Sequence, residues 1–449
     1  MERLKHLISY LSFVPDVLTN AMNLFPILLF THLFTESRDR VWWIIPLLLY
    51  YGFKTMILFL LRFAHISTRR LLEGSIYLGI IGVAIGSFSE SSLVLASLSG
   101  ITLGICSGTL FPSYLTVTYH EGYFGQTQQK KEAIPSLVYA GLLFFGLFKA
   151  INYSLMVGFL YLVPHLLMLA ILVSFYPDYE GGGYEDYPSY SVPETLAVFF
   201  LGFLTVFILK GGKKVGSALL LPGFFTFLIL SLLAYAVFIW RVKPTRYVAM
   251  LPTKLMIFKG MLTNFILVFC TFHQTLIHGR IALYIVYFSY LVALILASTI
   301  QRVVKKYLPE VSPEMLSYYL LFVSFILLLN DISFYWGVFL LSVGSSQFNQ
   351  LLNRYIYNHS NLPRDIRLLS KYRLNNIGSI LQQVMMMGIL GAVSLVDPHL
   401  SIGRLFYDYS YHIIQDNKSP DLFIAKLGLL LFFSSSLFYL KKEYKKNLS

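Results

Sequence analysis

Apolar residues run along this chain in long unbroken blocks, not in the alternation of a strand or the narrow stripe of a soluble amphipathic helix. "LMVGFLYLVPHLLMLAILVSF", residues 155–175, is typical. Blocks of about 20 such residues match a helix that crosses a hydrocarbon layer about 30 Å thick. Hydropathy predicts about 14 of these spans. The first six fall near 7–33, 41–61, 72–89, 92–118, 135–152 and 154–176. Two more lie near 194–210 and 216–240. The last six lie near 253–275, 279–300, 314–330, 332–352, 376–396 and 421–440.

Composition agrees. Of 449 residues, 56% are hydrophobic and only 13% charged, against about 25% charged in a soluble domain. Mean hydropathy is +0.66. The fold class expected is an all-α polytopic membrane protein whose core is the helix bundle itself. The N-terminal apolar stretch is too long for a signal peptide's apolar region and reads as the first span. Cys106 and Cys270 both fall inside predicted spans and form no metal or disulfide pattern.

Lys and Arg set the orientation. With the N-terminus inside, the inner segments carry Arg62, Arg69 and Arg70, then Arg241, Lys243 and Arg246, then Arg364, Arg367, Lys371 and Arg373, and finally the lysines after Leu440. The outer segments are poorer in cations, which puts both termini in the cytoplasm. "KGGKK", 210–214, is the exception, falling outside. The formal charge of +13 follows from cationic inner loops and anionic headgroups, and requires no nucleic acid. The acidic stretch "PDYEGGGYEDYPSYSVPE" has no helical period and reads as a linker. The expected organisation is a six-helix bundle over 1–176, a cytoplasmic linker over 177–193, an extra hairpin over 194–252 and a second six-helix bundle over 253–449. Six plus six is what a transporter built from two repeated bundles shows.

Four stretches resemble the major facilitator superfamily, in particular its 14-helix branch of drug:proton antiporters. "FVPDVLTNAMNLFP" resembles that branch's first-helix signature through Asp16, Asn20 or Asn23, and Pro26. "GITLGICSGTLFPS" resembles the Gly-rich fourth helix through Gly104, Gly108 and Pro112. "LRFAHISTRR" stands where the family has its Gly-x-x-x-Asp-Arg-x-Gly-Arg-Arg loop and shares Ala64, Arg69 and Arg70. "LNNIGSILQQVMMMGILGA" resembles the Gly-rich penultimate helix. There are departures: His65 replaces the loop aspartate, Gly100 stands in place of the fourth-helix arginine, and the fifth span lacks its Gly-Pro pair. The resemblance implies alternating access, with its usual proton-coupling machinery lost or rebuilt.

Ionisable groups inside spans are functional candidates by default, because an isolated charge there costs about 2.5–3.5 kcal/mol on insertion scales. Asp16, Lys54, Lys149 and His165 qualify. A carboxylate and a lysine in a low-dielectric site hold each other charged, so Asp16 is expected to pair with Lys54 or Lys149, and is also the candidate proton carrier. Lys149 near a span end can instead snorkel, and His165 beside Pro164 can serve a kinked helix. The second half is rich in amides. Gln347 and Gln350 stand one turn apart, and Gln382 belongs to a set with Asn375, Asn376, Ser379 and Gln383. Such amides act as helix glue or line a cavity.

No phosphate-cradling Gly loop, HExxH or usable Ser/His/Asp arrangement appears, so an enzyme and a cofactor are not expected. The expected function is a secondary transporter in a bacterial inner membrane. It exports a small amphipathic or anionic compound and is proton-coupled through Asp16. A flippase for lipid-linked saccharides or lipids, with a cationic cavity, is the alternative, and an acyl- or glycosyltransferase the more distant one. Small solute, membrane lipid and protons are the expected partners.

Overall fold

The first predicted span is not one helix. A computed structural model describes residues 11–36, 41–61, 66–123, 133–177, 192–215, 250–396, 405, 408–409 and 420–448. In it α1 (Phe13–Ala21) ends in a turn at Met22, Asn23 and Leu24 before α2 (Phe25–Glu36) begins. Pro26 explains the break. It has no N–H to give to the carbonyl of Met22, and its ring suits the first turn of a new helix.

The other elements are helical too, as a membrane demands of any backbone that must satisfy its own polar groups. They are α3 (Ile45–Leu60), α4 (Thr68–Gly86), α5 (Leu93–Tyr123), α6 (Ala133–Tyr153), α7 (Leu155–Ser174) and α8 (Val192–Val215). After them come α9 (Met250–Asn264), α10 (Thr271–His278), α11 (Arg280–Tyr307), α12 (Pro313–Leu327), α13 (Phe334–His359), α14 (Arg364–Val396) and α15 (Pro420–Leu448). Serines start several of them: Ser67, Ser154 and Ser312 each accept the backbone N–H three residues on, as N-caps do.

Nine helical stretches among the described residues are long and apolar enough to cross a membrane. The chain is an all-α integral membrane protein. The eighth expected span, 216–240, lies outside the described residues, as does most of the linker; "KGGKK", 210–214, expected as an outer loop, is instead helical and ends α8. One boundary is far from its expected place. The helix expected at 376–396 begins at Arg364, because its first turns carry four cations that a hydropathy window rejects but a helix tolerates.

The described residues fall into two units. The first holds those up to Gly211 together with Asn361–Arg373. Here α3 and α5 touch backbone to backbone. Gly100, Gly104 and Gly108, four residues apart, face the carbonyls of Pro46, Tyr50 and Lys54, and a Cβ on Gly104 would sit 2.7 Å from the Tyr50 oxygen. Small residues at this spacing let membrane helices approach closely. On its other side α3 receives α8: Phe199 and Phe203 lie 5.8 and 5.3 Å from the ring of Phe53.

The second unit holds the described residues from Met250 to Ser360 and from Leu374 onward. Its first helix is irregular as well. After Asn264 the α-helix widens into a π-helical segment, Phe265–Cys270, before α10 resumes. Here α9 and α14 cross in direct contact: a side chain on Gly260 would strike the carbonyl of Asn375, and one on Gly378 that of Ile257. Gly279, at φ 69°, turns α10 into α11 in a region of backbone space that favours glycine.

Candidate functional site

The break in the first helix creates the site in the first unit. With Pro26 unable to donate, the Met22 carbonyl takes the hydroxyl of Ser107 from α5 at 2.6 Å. The next carbonyl, that of Asn23, takes two donors from α3: Lys54 Nζ at 2.7 Å and the Tyr50 hydroxyl at 3.2 Å. Three helices thus converge on two carbonyls at the break, that of Met22 left without a donor by Pro26 and that of Asn23 by the turn itself. The glycine row holds them there, since Gly104 and Gly108 set the distance of α5 from the backbone of Tyr50 and Lys54. Lys54 also lies 5.4 Å from the centre of the Tyr50 ring, a cation–π distance.

Asp16 is one helical turn below Asn20, whose Nδ2 donates to the Asp16 carbonyl at 2.8 Å. Its carboxylate is an electrostatic neighbour of the Tyr114 phenol on α5. The expected Asp16–Lys54 ion pair is replaced by the Lys54–Asn23 contact, because the broken helix offers a bare carbonyl nearer to the ammonium. Lys54 has no carboxylate within 4.0 Å among the described residues. Lys149 does not reach this site. It is exposed on the stripe of α6 that carries Leu142, Phe145 and Tyr153. His165 is held by α6: its Nδ1 lies 3.1 Å from the Tyr139 hydroxyl and its ring stacks edge-on at 5.0 Å from Tyr161.

The second unit has a polar crossing of similar character. Asn264, the last residue before the π segment, donates to Gln382 Oε1 and, at 3.0 Å, to the Ser379 carbonyl. Gln382 is fully buried, and its Nε2 meets no partner among the described residues. Gln347 on α13 donates to the Ala297 carbonyl at 3.3 Å, and its buried Oε1 has no partner among the described residues, whereas Gln350 is only partly buried. Beside the crossing stands a residue the sequence reading passed over. Lys259 is 7% exposed, and its ammonium donates to the Thr263 hydroxyl one turn on. The signal was available, since Lys259 lies inside a predicted span just as Lys54 does.

A third cluster lay beyond any sequence signal. Asp365, in the first turn of α14, accepts from Thr68 at 2.7 Å and meets His120 Nε2 at 2.8 Å. All three side chains are buried, yet they are far apart in the chain. Around them Arg364 covers the ring of Tyr123 at 3.8 Å, and Arg373 donates to the Leu58 carbonyl at 2.7 Å. Arg69 pairs with Glu73 at 3.0 Å and reaches the Ser174 carbonyl, while the Arg70 side chain is exposed. Among the described residues no group of three or more His, Cys, Asp or Glu side chains stands in place to hold a metal ion.

No protein-family profile matches the chain, and no curated protein matches it either. Solved structures do. An auto-inhibited POT family peptide transporter shares 11% identity over 97% of this chain and 97% of its own, with a TM-score of 0.51. A peptide transporter of the same family in complex with sulfate shares 12% over 97% and 95%, also at 0.51. A further POT family transporter shares 10% over 97% and 98%, at 0.50. Likeness at such identity speaks for architecture alone, and it spans nearly every residue: the chain has the fold of the major facilitator transporters.

Proposed function

We propose that this protein is a secondary transporter that moves a small solute bearing an anionic group by alternating access. One observation carries the reading. In each unit the first helix is interrupted, at Met22–Leu24 and at Phe265–Cys270, and each interruption stands beside a lysine whose contacts are a carbonyl or a hydroxyl, with no carboxylate among the described residues. Interrupted helices in corresponding places of the two halves mark solute sites in repeat-built transporters. An ammonium without a counter-ion in a low-dielectric site favours an anion. The reading excludes an enzyme.

We take the chain as two six-helix bundles over 1–176 and 253–449, with the linker 177–193 and the hairpin 194–252 between them. The direction is export across a bacterial inner membrane, both termini are cytoplasmic, and Asp16 carries the coupling proton. In this the protein resembles the 14-helix drug:proton antiporters but prefers anions to organic cations.

Proteoliposomes with an imposed pH gradient test the proposal. Anionic and cationic amphiphiles are offered side by side to the parent chain and to Lys54→Met, Lys259→Met and Asp16→Asn. Anion movement that falls more than tenfold in either lysine variant, and loses its dependence on the gradient in Asp16→Asn, is the expected result. Preferential movement of cations, undiminished in both lysine variants, would overturn the reading.

A further inference from the structure

Two lysines stand at the end of the second unit that the Lys and Arg pattern places inside, and their surroundings differ. Lys254, on α9, is neutralised. Its Nζ lies 2.9 and 3.1 Å from the two carboxylate oxygens of Glu443 on α15, and 3.2 Å from the Tyr439 hydroxyl. Lys441 directly follows the apolar run of α15 and has no such partner. Its ammonium lies 5.9 Å from the ring centre of Tyr318 and 5.7 Å from that of Tyr319, both on α12. No carboxylate contacts it among the described residues. Glu443 is taken by Lys254, and Glu310 and Glu314, beside the start of α12, form no ion pair among the described residues. Lys441 is partly exposed, and Lys442 next to it is exposed.

Two aromatic rings attract an ammonium but leave its charge uncancelled, so the place favours an anion. The helix that supplies the rings sets the depth. The 15 residues of α12 make about 22 Å of helix at 1.5 Å per residue, against a hydrocarbon layer about 30 Å thick. A bilayer meets so short a helix by thinning locally. Headgroup phosphates thereby come down to the second turn of α12, where Tyr318 and Tyr319 stand. An exposed apolar stripe runs on from there along the same helix: Tyr319, Phe322 and Ile326 are 54%, 43% and 53% exposed. A soluble anion leaves that stripe bare, whereas the acyl chain of a lipid covers it. A choline headgroup brings a cation of its own, which the exposed Lys442 opposes. A glycerol headgroup brings none and keeps the phosphate's net charge.

We propose that Lys441, Tyr318, Tyr319 and Lys442 hold the phosphate of an anionic phospholipid of the inner leaflet, with an acyl chain along Tyr319, Phe322 and Ile326. Such a lipid joins α15 to α12, since the lysines of one hold its phosphate and the stripe of the other carries its chain. The site lies within the second unit and stands whether or not the chain moves a solute.

Native mass spectrometry of the full chain in mild detergent tests this by counting bound lipid as dioctanoyl phosphatidylglycerol or dioctanoyl phosphatidylcholine is added. The parent chain is expected to bind phosphatidylglycerol about fivefold more tightly or better, the factor a single lysine contributes beside anionic headgroups. Lys441→Met is expected to bring phosphatidylglycerol down to the level of phosphatidylcholine, and Lys441→Arg to keep the preference. Lys254→Met with Glu443→Gln removes a lysine whose charge is already matched, and is expected to leave the preference within about a factor of two. Equal binding of the two lipids by the parent chain overturns the proposal. A loss in Lys305→Met, an exposed lysine of the same end, as large as that in Lys441→Met also overturns it, because it marks diffuse surface charge. So does displacement of phosphatidylglycerol by an equal concentration of inorganic phosphate, which marks a site for a soluble anion.

Discussion

The clearest energetic claim concerns Ser107 and Pro26. Ser107 is 3% exposed, and its hydroxyl is the donor to the fully buried Met22 carbonyl, 2.6 Å away. Ser107→Ala removes the donor and leaves that carbonyl unpaired. In soluble proteins a buried group stranded in this way costs about 1–3 kcal/mol. Hydrogen bonds between membrane helices average about 0.6 and reach about 1.7 kcal/mol. The short distance and complete burial place this bond near the upper end, at about 1.5 kcal/mol. Pro26→Ala changes the arithmetic. It restores an N–H four residues after Met22, and closure of the turn into a continuous helix satisfies the carbonyl from within. Ser107→Ala in that background is expected to cost about 0.5 kcal/mol or less, a coupling of about 1 kcal/mol between residues on different helices. Reversible denaturant unfolding in mixed micelles measures the four corners of the cycle. Ser113→Ala serves as the control, because that hydroxyl merely bonds back to Thr109 in its own helix at 2.8 Å. An equal loss from Ser107→Ala in both backgrounds would falsify the account of the broken helix.

Three further outcomes are expected, read by the same unfolding measurement and, for Lys149, by solute movement as well. Gly378→Ala drives a methyl into the Ile257 carbonyl and is expected to cost about 1–3 kcal/mol, whereas Gly388→Ala, with nothing within 4 Å, shifts stability by about 0.5 kcal/mol or less; equal effects would refute the close crossing. His120→Ala removes one hydrogen-bond partner of the buried Asp365 carboxylate and is expected to cost about 1–3 kcal/mol, while Asp365→Asn, which can still accept from Thr68 and His120, costs less. Lys149→Ala is expected to leave both stability and solute movement within error, and a loss of transport with an intact fold would return Lys149 to the site.

Architecture was legible in the sequence because a bilayer imposes it. A run of apolar residues long enough to cross has one conformation that satisfies its backbone, so 155–174 had to be a helix whatever its neighbours. Pro26 and the glycines at 100, 104 and 108 were visible too, and their physics is local: a missing N–H and a missing Cβ. What a missing N–H leads to is not local. The same proline could have kinked a helix quietly. That the helix breaks there and leaves two carbonyls open, and that Ser107, Tyr50 and Lys54 take them, depends on how α3 and α5 lie against the break. The Asp16–Lys54 pair failed for this reason: opposite charge names a partner, but distance chooses it. His120, Thr68 and Asp365 meet across 297 residues of chain, and nothing in the spacing of polar residues anticipates such a meeting. Periodicity and hydropathy thus determine which segments cross the membrane. Which charges face each other there is decided by packing, since in a low-dielectric interior a displacement of a few ångströms separates a paired charge from an open one.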